Sequence, residues 1–173
     1  MMLPALRKET HTVDSGEAVL MKFVADSMLG KMATWLRILG YDTLYQPLYG
    51  EGELAGFIRQ GRRLVTRDRS RWQGDDHAVV MDSQRVGDQL KEFFIRLELH
   101  PVREKWFTRC LRCNAVLEDA NEGEAQENVP EYVFYEHRGK LKVCRLCGRY
   151  FWPGSHRQRM VKQLDLWGIP VRE

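Results

Sequence analysis

The chain's only cysteines fall in two pairs: Cys110 and Cys113 in FTRCLRCN, and Cys144 and Cys147 in VCRLCGRY, with thirty residues between the pairs. Two residues between cysteines let one tight turn present both sulfurs to a single ion, and four thiolates suit tetrahedral zinc. Gly148, directly after the second pair, fits a knuckle that needs a permissive backbone. The gap exceeds the common spacing of such sites, so the acidic stretch within it is expected to be a loop between knuckles. Four protein ligands leave no position for a reacting water, which makes the expected zinc structural. The same residues would serve two disulfides in an oxidising compartment, or an iron–tetrathiolate site in a small electron carrier. The rest of the chain does not read as either.

Carboxylates are the second set. Asp26 closes MKFVAD and Asp68 closes RLVTRD, each a short apolar run that reads as a strand. In a parallel sheet the carboxyl ends of strands meet at one edge, where ligands bind. Crowded carboxylates repel one another unless a divalent cation lies between them, and oxygen ligands suit magnesium or manganese. An ion held there can orient a water and stabilise charge on a phosphate. Glu53 opens the next helix and could complete the set, ahead of Glu51; Asp42, Asp75, Asp76 and Asp82 are weaker candidates. Taken singly, Asp26 could be only a helix N-cap and Asp68 only a partner of nearby arginines.

The elements that must position these residues follow from periodicity. Met28, Leu29, Met32, Ala33, Leu36 and Leu39 repeat at helical spacing and stop at Gly40. TLY, RLVT and HAVVMD read as further strands, with a short helix from Glu53 to Gln60 and an amphipathic one over 85–99. Strands alternating with helices predict an α/β fold with a parallel sheet and crossover helices. Composition shifts at His100 and Pro101. Beyond them come the first cysteine pair, the acidic stretch 118–131, strand signals in YVFYEH and KLKVC, the second pair, and a helix over about 155–167. The division expected is a loose tail at 1–20, an α/β domain at 21–100, and a cysteine module with a basic C-terminal helix at 101–173. Met21 is a candidate initiator.

Net charge is only +3, but the distribution is uneven. Arg67, Arg69 and Arg71 lie in the run RQGRRLVTRDRSRW, and a second basic cluster spans Arg138 to Lys162. Such clusters suit a phosphate backbone. Trp152, in the rigid FWPGSH turn, suits stacking on a base, with Arg149 and His156 beside it as further contacts. No apolar run reaches the roughly 20 residues of a membrane helix, and residues 1–20 lack a signal-peptide core. The expectation is therefore a cytoplasmic protein. No Ser-His-Asp or Cys-His pattern and no phosphate-binding glycine loop is present.

FVADSMLGKMATWLRILGYD, then RRLVTRD, then FTRCLRCN with VCRLCGRYFWPGSH, resemble the Mut-seven C-terminal RNase domain, from about Met21 to about Met160. The resemblance implies a PIN-like nuclease fold followed by a zinc ribbon, and magnesium- or manganese-dependent hydrolysis of RNA. It implies that Asp26, Glu53 and Asp68 are the metal-binding and catalytic acids, and that Lys31 and Arg37 contact phosphate. It also exposes a departure. Such nucleases carry a fourth acidic residue near the same edge, where this chain reads RSRW. The competing expectation is an RNA-binding module that keeps the fold without turnover.

Overall fold

β1 (Lys22–Ala25), β2 (Asp42–Tyr45), β3 (Arg63–Thr66) and β4 (Ala78–Val80) form one sheet in the order β2-β1-β3-β4. All three pairings are parallel. The computed structural model describes residues 21–171; the tail expected over 1–20 lies outside the described residues. The central strands are apolar almost throughout because both their faces are covered. Phe23, Val24, Ala25, Leu64, Val65 and Thr66 are fully buried.

The crossovers are α1 (Gly30–Ile38), α2 (Glu53–Arg59), the single turn α3 (Arg69–Trp72), and α4 (Val86–Leu97), which follows β4. A 3-10 turn, Ser27–Leu29, leads into α1. Leu29, Met32, Ala33 and Leu36 meet Leu90, Phe93, Phe94 and Leu97 in one buried cluster that also holds Phe23 and Tyr41. Phe23 and Phe93 pack edge to face at 5.0 Å.

The cysteine module adds β5 (Glu118–Asp119), β6 (Lys142–Val143) and β7 (Tyr150–Phe151) as a small antiparallel sheet. Within its long gap lie α5 (Glu122–Asn128) and α6 (Glu131–Glu136), and α7 (Ser155–Trp167) follows. α7 returns to the first core. Leu164 and Ile169 share the buried cluster of Phe23, and Trp167 packs on Trp35 at 4.7 Å.

Two expectations are corrected here. YVFYEH is helical in α6, not a strand. Adjacent Val133 and Phe134 are both buried while Tyr132 and Tyr135 are exposed, a pattern that suits a helix turn rather than alternation. The acidic stretch is ordered, not a plain loop. Asn121 caps α5 by accepting hydrogen bonds from the N–H groups of Gly123 and Glu124, and Glu122 and Glu124 occupy the favourable first turn. Its carboxylates are matched by the basic run opposite: Glu122 pairs with Arg138, Asp119 with Lys142, and Glu118 and Glu124 with Arg145.

Candidate active site and metal centre

The two cysteine turns are built alike. The N–H of Asn114 donates to the Cys110 carbonyl at 2.9 Å, and that of Gly148 to the Cys144 carbonyl at 2.8 Å. The N–H of Cys110 donates to Ala115 O, and that of Cys144 to Arg149 O. Each turn closes through a left-handed residue, Asn114 at φ 66° and Gly148 at φ 69°. Asparagine and glycine are the residues that tolerate this backbone.

The turns bring four sulfurs together. Sγ–Sγ distances are 3.3 Å for Cys110–Cys113, 3.4 Å for Cys113–Cys144 and 3.7 Å for Cys110–Cys147. One tetrahedron with zinc–sulfur bonds of about 2.3 Å has edges of about 3.8 Å, so the cluster is compatible with structural zinc. Disulfides do not join them. Burial pushes the Cys113 and Cys144 thiols up, whereas the bond with the Arg149 backbone lowers Cys147 to about 7.

The first turn is fastened to the amino-terminal edge of the large sheet. Asn114 Oδ1 accepts from the N–H of Thr43, and its Nδ2 donates to Asp42 at 2.7 Å. Arg109 Nε donates to Gly40 O. Arg37 is only 4% exposed; its Nε donates to Thr43 O and its Nη1 to the carbonyls of Leu111 and Arg112. The expected phosphate contact by Arg37 is therefore corrected: its donors are turned inward, and its charge lies near Cys110 and Cys113. A site of four thiolates around a divalent ion is net negative, and a buried guanidinium offsets that charge.

Asp42 holds the same junction. Burial pushes its carboxyl up, but the bonds from Arg62 and Asn114 and the charges of Arg62 and Arg109 outweigh it and hold the group below its ordinary value. The resulting stability is present above the unfolded value of about 3.9 and is lost as pH falls through the depressed folded one. Asp42→Asn is expected to cost roughly 1–3 kcal/mol at neutral pH. Denaturant midpoints of parent and variant should converge as pH drops below about 4; a gap that persists there would show the carboxylate's charge is not what matters.

The candidate nuclease acids lie at the opposite, carboxyl edge. Asp26 directly follows β1 and Asp68 lies two residues beyond β3, and these strands are neighbours. Asp26 occupies an N-cap position but makes no capping bond. Instead its Oδ2 accepts from the Thr66 hydroxyl at 2.7 Å and its Oδ1 from Ser27 Oγ at 3.1 Å. Thr66 Oγ1 in turn accepts from the N–H of Asp68 at 3.0 Å. One buried hydroxyl thus links the two acidic positions, using its single proton toward Asp26 and a lone pair toward Asp68. Asp68 Oδ1 accepts from Ser70 Oγ and the Arg71 N–H, which hold the carboxyl below its ordinary range.

Glu53 is placed differently. Its oxygens accept from Gly50 N and Gln46 Nε2, and these bonds lower its pKa. Tyr49 ties this loop to the edge by donating to Ala25 O at 2.6 Å. Among the described residues the four cysteines are the one group of three or more such ligands gathered within 4.8 Å, so Asp26, Glu53 and Asp68 do not converge as a ready-made triad. The Thr66 hydroxyl reaches the carboxylate of Asp26 but the backbone N–H of Asp68, so it joins the two positions rather than the two carboxylates. Of the weaker candidates, Asp82 follows β4 on this same edge but is paired with Arg69 and Arg96, and Asp42 lies on the other edge.

A groove of about 580 Å³ runs beside Ser27 and is lined by Lys31, Arg67 and Arg85, with no carboxylate among its lining residues. Of the remaining expected contacts, Arg69 pairs with Asp82, Arg71 lies over Trp72 at 5.3 Å, and Arg149, Trp152 and His156 are exposed on the module and the start of α7. The reading of the sequence missed Thr66, Tyr49, Asn114 and Arg85. Only Asn114 left a signal: it stands where Gly148 stands in the second turn.

The family model of the Mut7-C RNAse domain matches residues 21–164, from the first strand of the sheet into α7. The chain belongs to the Mut7-C RNAse domain family. Membership carries a nuclease role with RNA as its substrate class. It also places the sheet and the cysteine module within one family unit. No curated protein matches the chain. No helix among the described residues is long and apolar enough to cross a membrane.

Proposed function

We propose that this Mut7-C RNAse domain protein is a metal-dependent endoribonuclease whose acids are Asp26 and Asp68, with Glu53 at the rim. The observation that carries this reading is the Thr66 bridge, which pairs two carboxylate positions at the carboxyl ends of adjacent strands. A magnesium or manganese ion held by these oxygens would supply an activated water and neutralise charge on the phosphate. The chain's own part is positional. Thr66 and Ser27 fix Asp26, Ser70 and the Arg71 N–H fix Asp68, and Gln46 and Gly50 hold Glu53 in the loop that Tyr49 ties to Ala25. Lys31, Arg67 and Arg85 would receive the RNA backbone in the adjoining groove, and Arg69 and Arg71 in α3 would add positive charge after β3. Zinc in the cysteine module would be structural, because four thiolates leave no position for a reacting water.

The test is cleavage of a mixed-structure RNA with manganese and with a chelator too weak to strip a four-thiolate site. Cutting that needs manganese and is lost in Asp68→Asn is the expected result. The second reading, RNA binding without turnover, is favoured by the non-convergence of Glu53 with the aspartates. It predicts RNA retained and no product under either condition.

A further inference from the structure

A small cavity lies between the cysteine module and α7, and two of its lining residues, Phe107 and Arg109, bond backbone carbonyls at the end of α1. It has a volume of about 90 Å³, with Phe107, Phe151 and Trp152 among its walls. Arg109, Lys140 and Arg157 also line it, and no carboxylate does. That volume is well below the several hundred Å³ of sites that enclose a whole drug-sized ligand. Its size suits one ring-sized group, with the rest of a ligand outside among the cations.

Three features keep this cavity open and shaped. The guanidinium of Arg157 lies over the Phe107 ring at 4.5 Å, so the cation and one aromatic wall are already paired. Phe107 adopts a left-handed backbone, φ 60°, with its N–H fixed to Ile38 O at 2.7 Å. A bulky residue in that region is strained, and such strain concentrates at binding sites. Trp152 remains 36% exposed and lies against Gly154, where a Cβ would come within 3.0 Å of the indole nitrogen.

Resting on the ribonuclease reading, we infer that this cavity captures one unpaired base of the RNA chain, stacked on Trp152, with its flanking phosphates at Lys140 and Arg157. Aromatic faces with a cationic rim and no acid are the chemistry of single-stranded nucleic-acid sites. The captured base is not one that flanks the cut. Arg109 binds Gly40 O beyond the end of α1, whereas Asp26 lies just before its start. The nine residues of α1 therefore separate them by about 14 Å.

The experiment measures binding, not turnover. Full-length, zinc-loaded Asp68→Asn protein is titrated without added divalent ion into a fluorescent, unstructured RNA 12-mer and into a duplex of the same composition. Adding Trp152→Ala should weaken single-strand binding roughly 5- to 150-fold, as loss of one base–aromatic stack does, and leave duplex binding unchanged. Arg157→Gln should weaken binding and lower the salt slope by about one. Gly154→Ala, which displaces the indole while keeping it, should lose affinity in the same direction. The proposal is overturned if Trp152→Ala and Arg157→Gln bind the single strand as the parent does, or if Trp152→Ala weakens duplex and single strand alike. Trp152-dependent binding in a protein that never cuts RNA would sink the ribonuclease reading and leave this site standing. Cutting with no Trp152 dependence would do the reverse.

Discussion

Cys144→Ser is expected to leave a protein that holds no zinc and has lost the whole cysteine module. The magnitude argues for an all-or-none result. A structural zinc site contributes on the order of 10 kcal/mol, against a total of about 5–15 kcal/mol for a domain. Little else holds this module together. Its strands are two residues long, and its second buried cluster consists of Ala125, Val129, Val133, Phe134 and Leu141. The loss should not stop at the module. Asn114 and Arg37 join the first turn to Thr43, so the Thr43 amide should exchange with solvent once the turn is gone. Hydrogen exchange at single-residue resolution, with zinc content measured on the same sample, tests both parts. A metal-free variant in which Thr43 stays as protected as in the parent would show that the turn is held by the sheet and not by the ion.

Asp26→Asn is expected to reduce RNA cleavage on the order of 10³-fold, and added manganese should not restore it. Removing a charged metal ligand forfeits several kcal/mol of transition-state stabilisation, and each 1.4 kcal/mol is tenfold in rate. Thr66→Val gives the informative contrast. Valine keeps the buried volume but cannot donate to Asp26 or accept from Asp68. Partners that orient a metal ligand are typically worth 10–100-fold. Thr66→Val should therefore cleave slowly at low manganese and recover as manganese is raised. Single-turnover rates over a manganese series distinguish the two variants. A Thr66→Val protein that matches the parent at every concentration would mean that the bridge does not set the acids, and an Asp26→Asn protein that recovers with metal would remove Asp26 from the site.

Much of this was legible because strong periodicity overrides detail. α1 and α4 bury most of the apolar residues that recur at helical spacing, Met28 being exposed in the turn before α1, while α7 buries Leu164 and half-buries Met160 and Trp167; the central strands are short apolar runs ending near a carboxylate. The errors have physical causes. The resemblance put Arg37 on phosphate, but its partners at Leu111 and Arg112 lie 74 and 75 residues further along the chain, beyond any local pattern. Asp26 looked like a cap because nothing local reveals that Thr66, from the neighbouring strand, draws its carboxylate away. In the acidic stretch the capping signal of Asn121 was present, but the density of like charge concealed it until the arginines of the opposite strand region supplied counter-charge. Tyr49 and Thr66 act through hydroxyls at ordinary loop and strand positions, which carry no pattern.

The return of α7 to the first core governs how the protein is made. Phe23 and Leu164 belong to one buried cluster, yet they leave the ribosome far apart in time. At 5–20 residues per second the interval is on the order of ten seconds. Throughout it, the faces of α1 and α4 that await Trp167 and Leu164 stand uncovered on a nascent chain whose second cysteine pair is still to come. Completion of the four-cysteine cluster and closure of the core therefore both wait for the segment from Cys144 to Trp167.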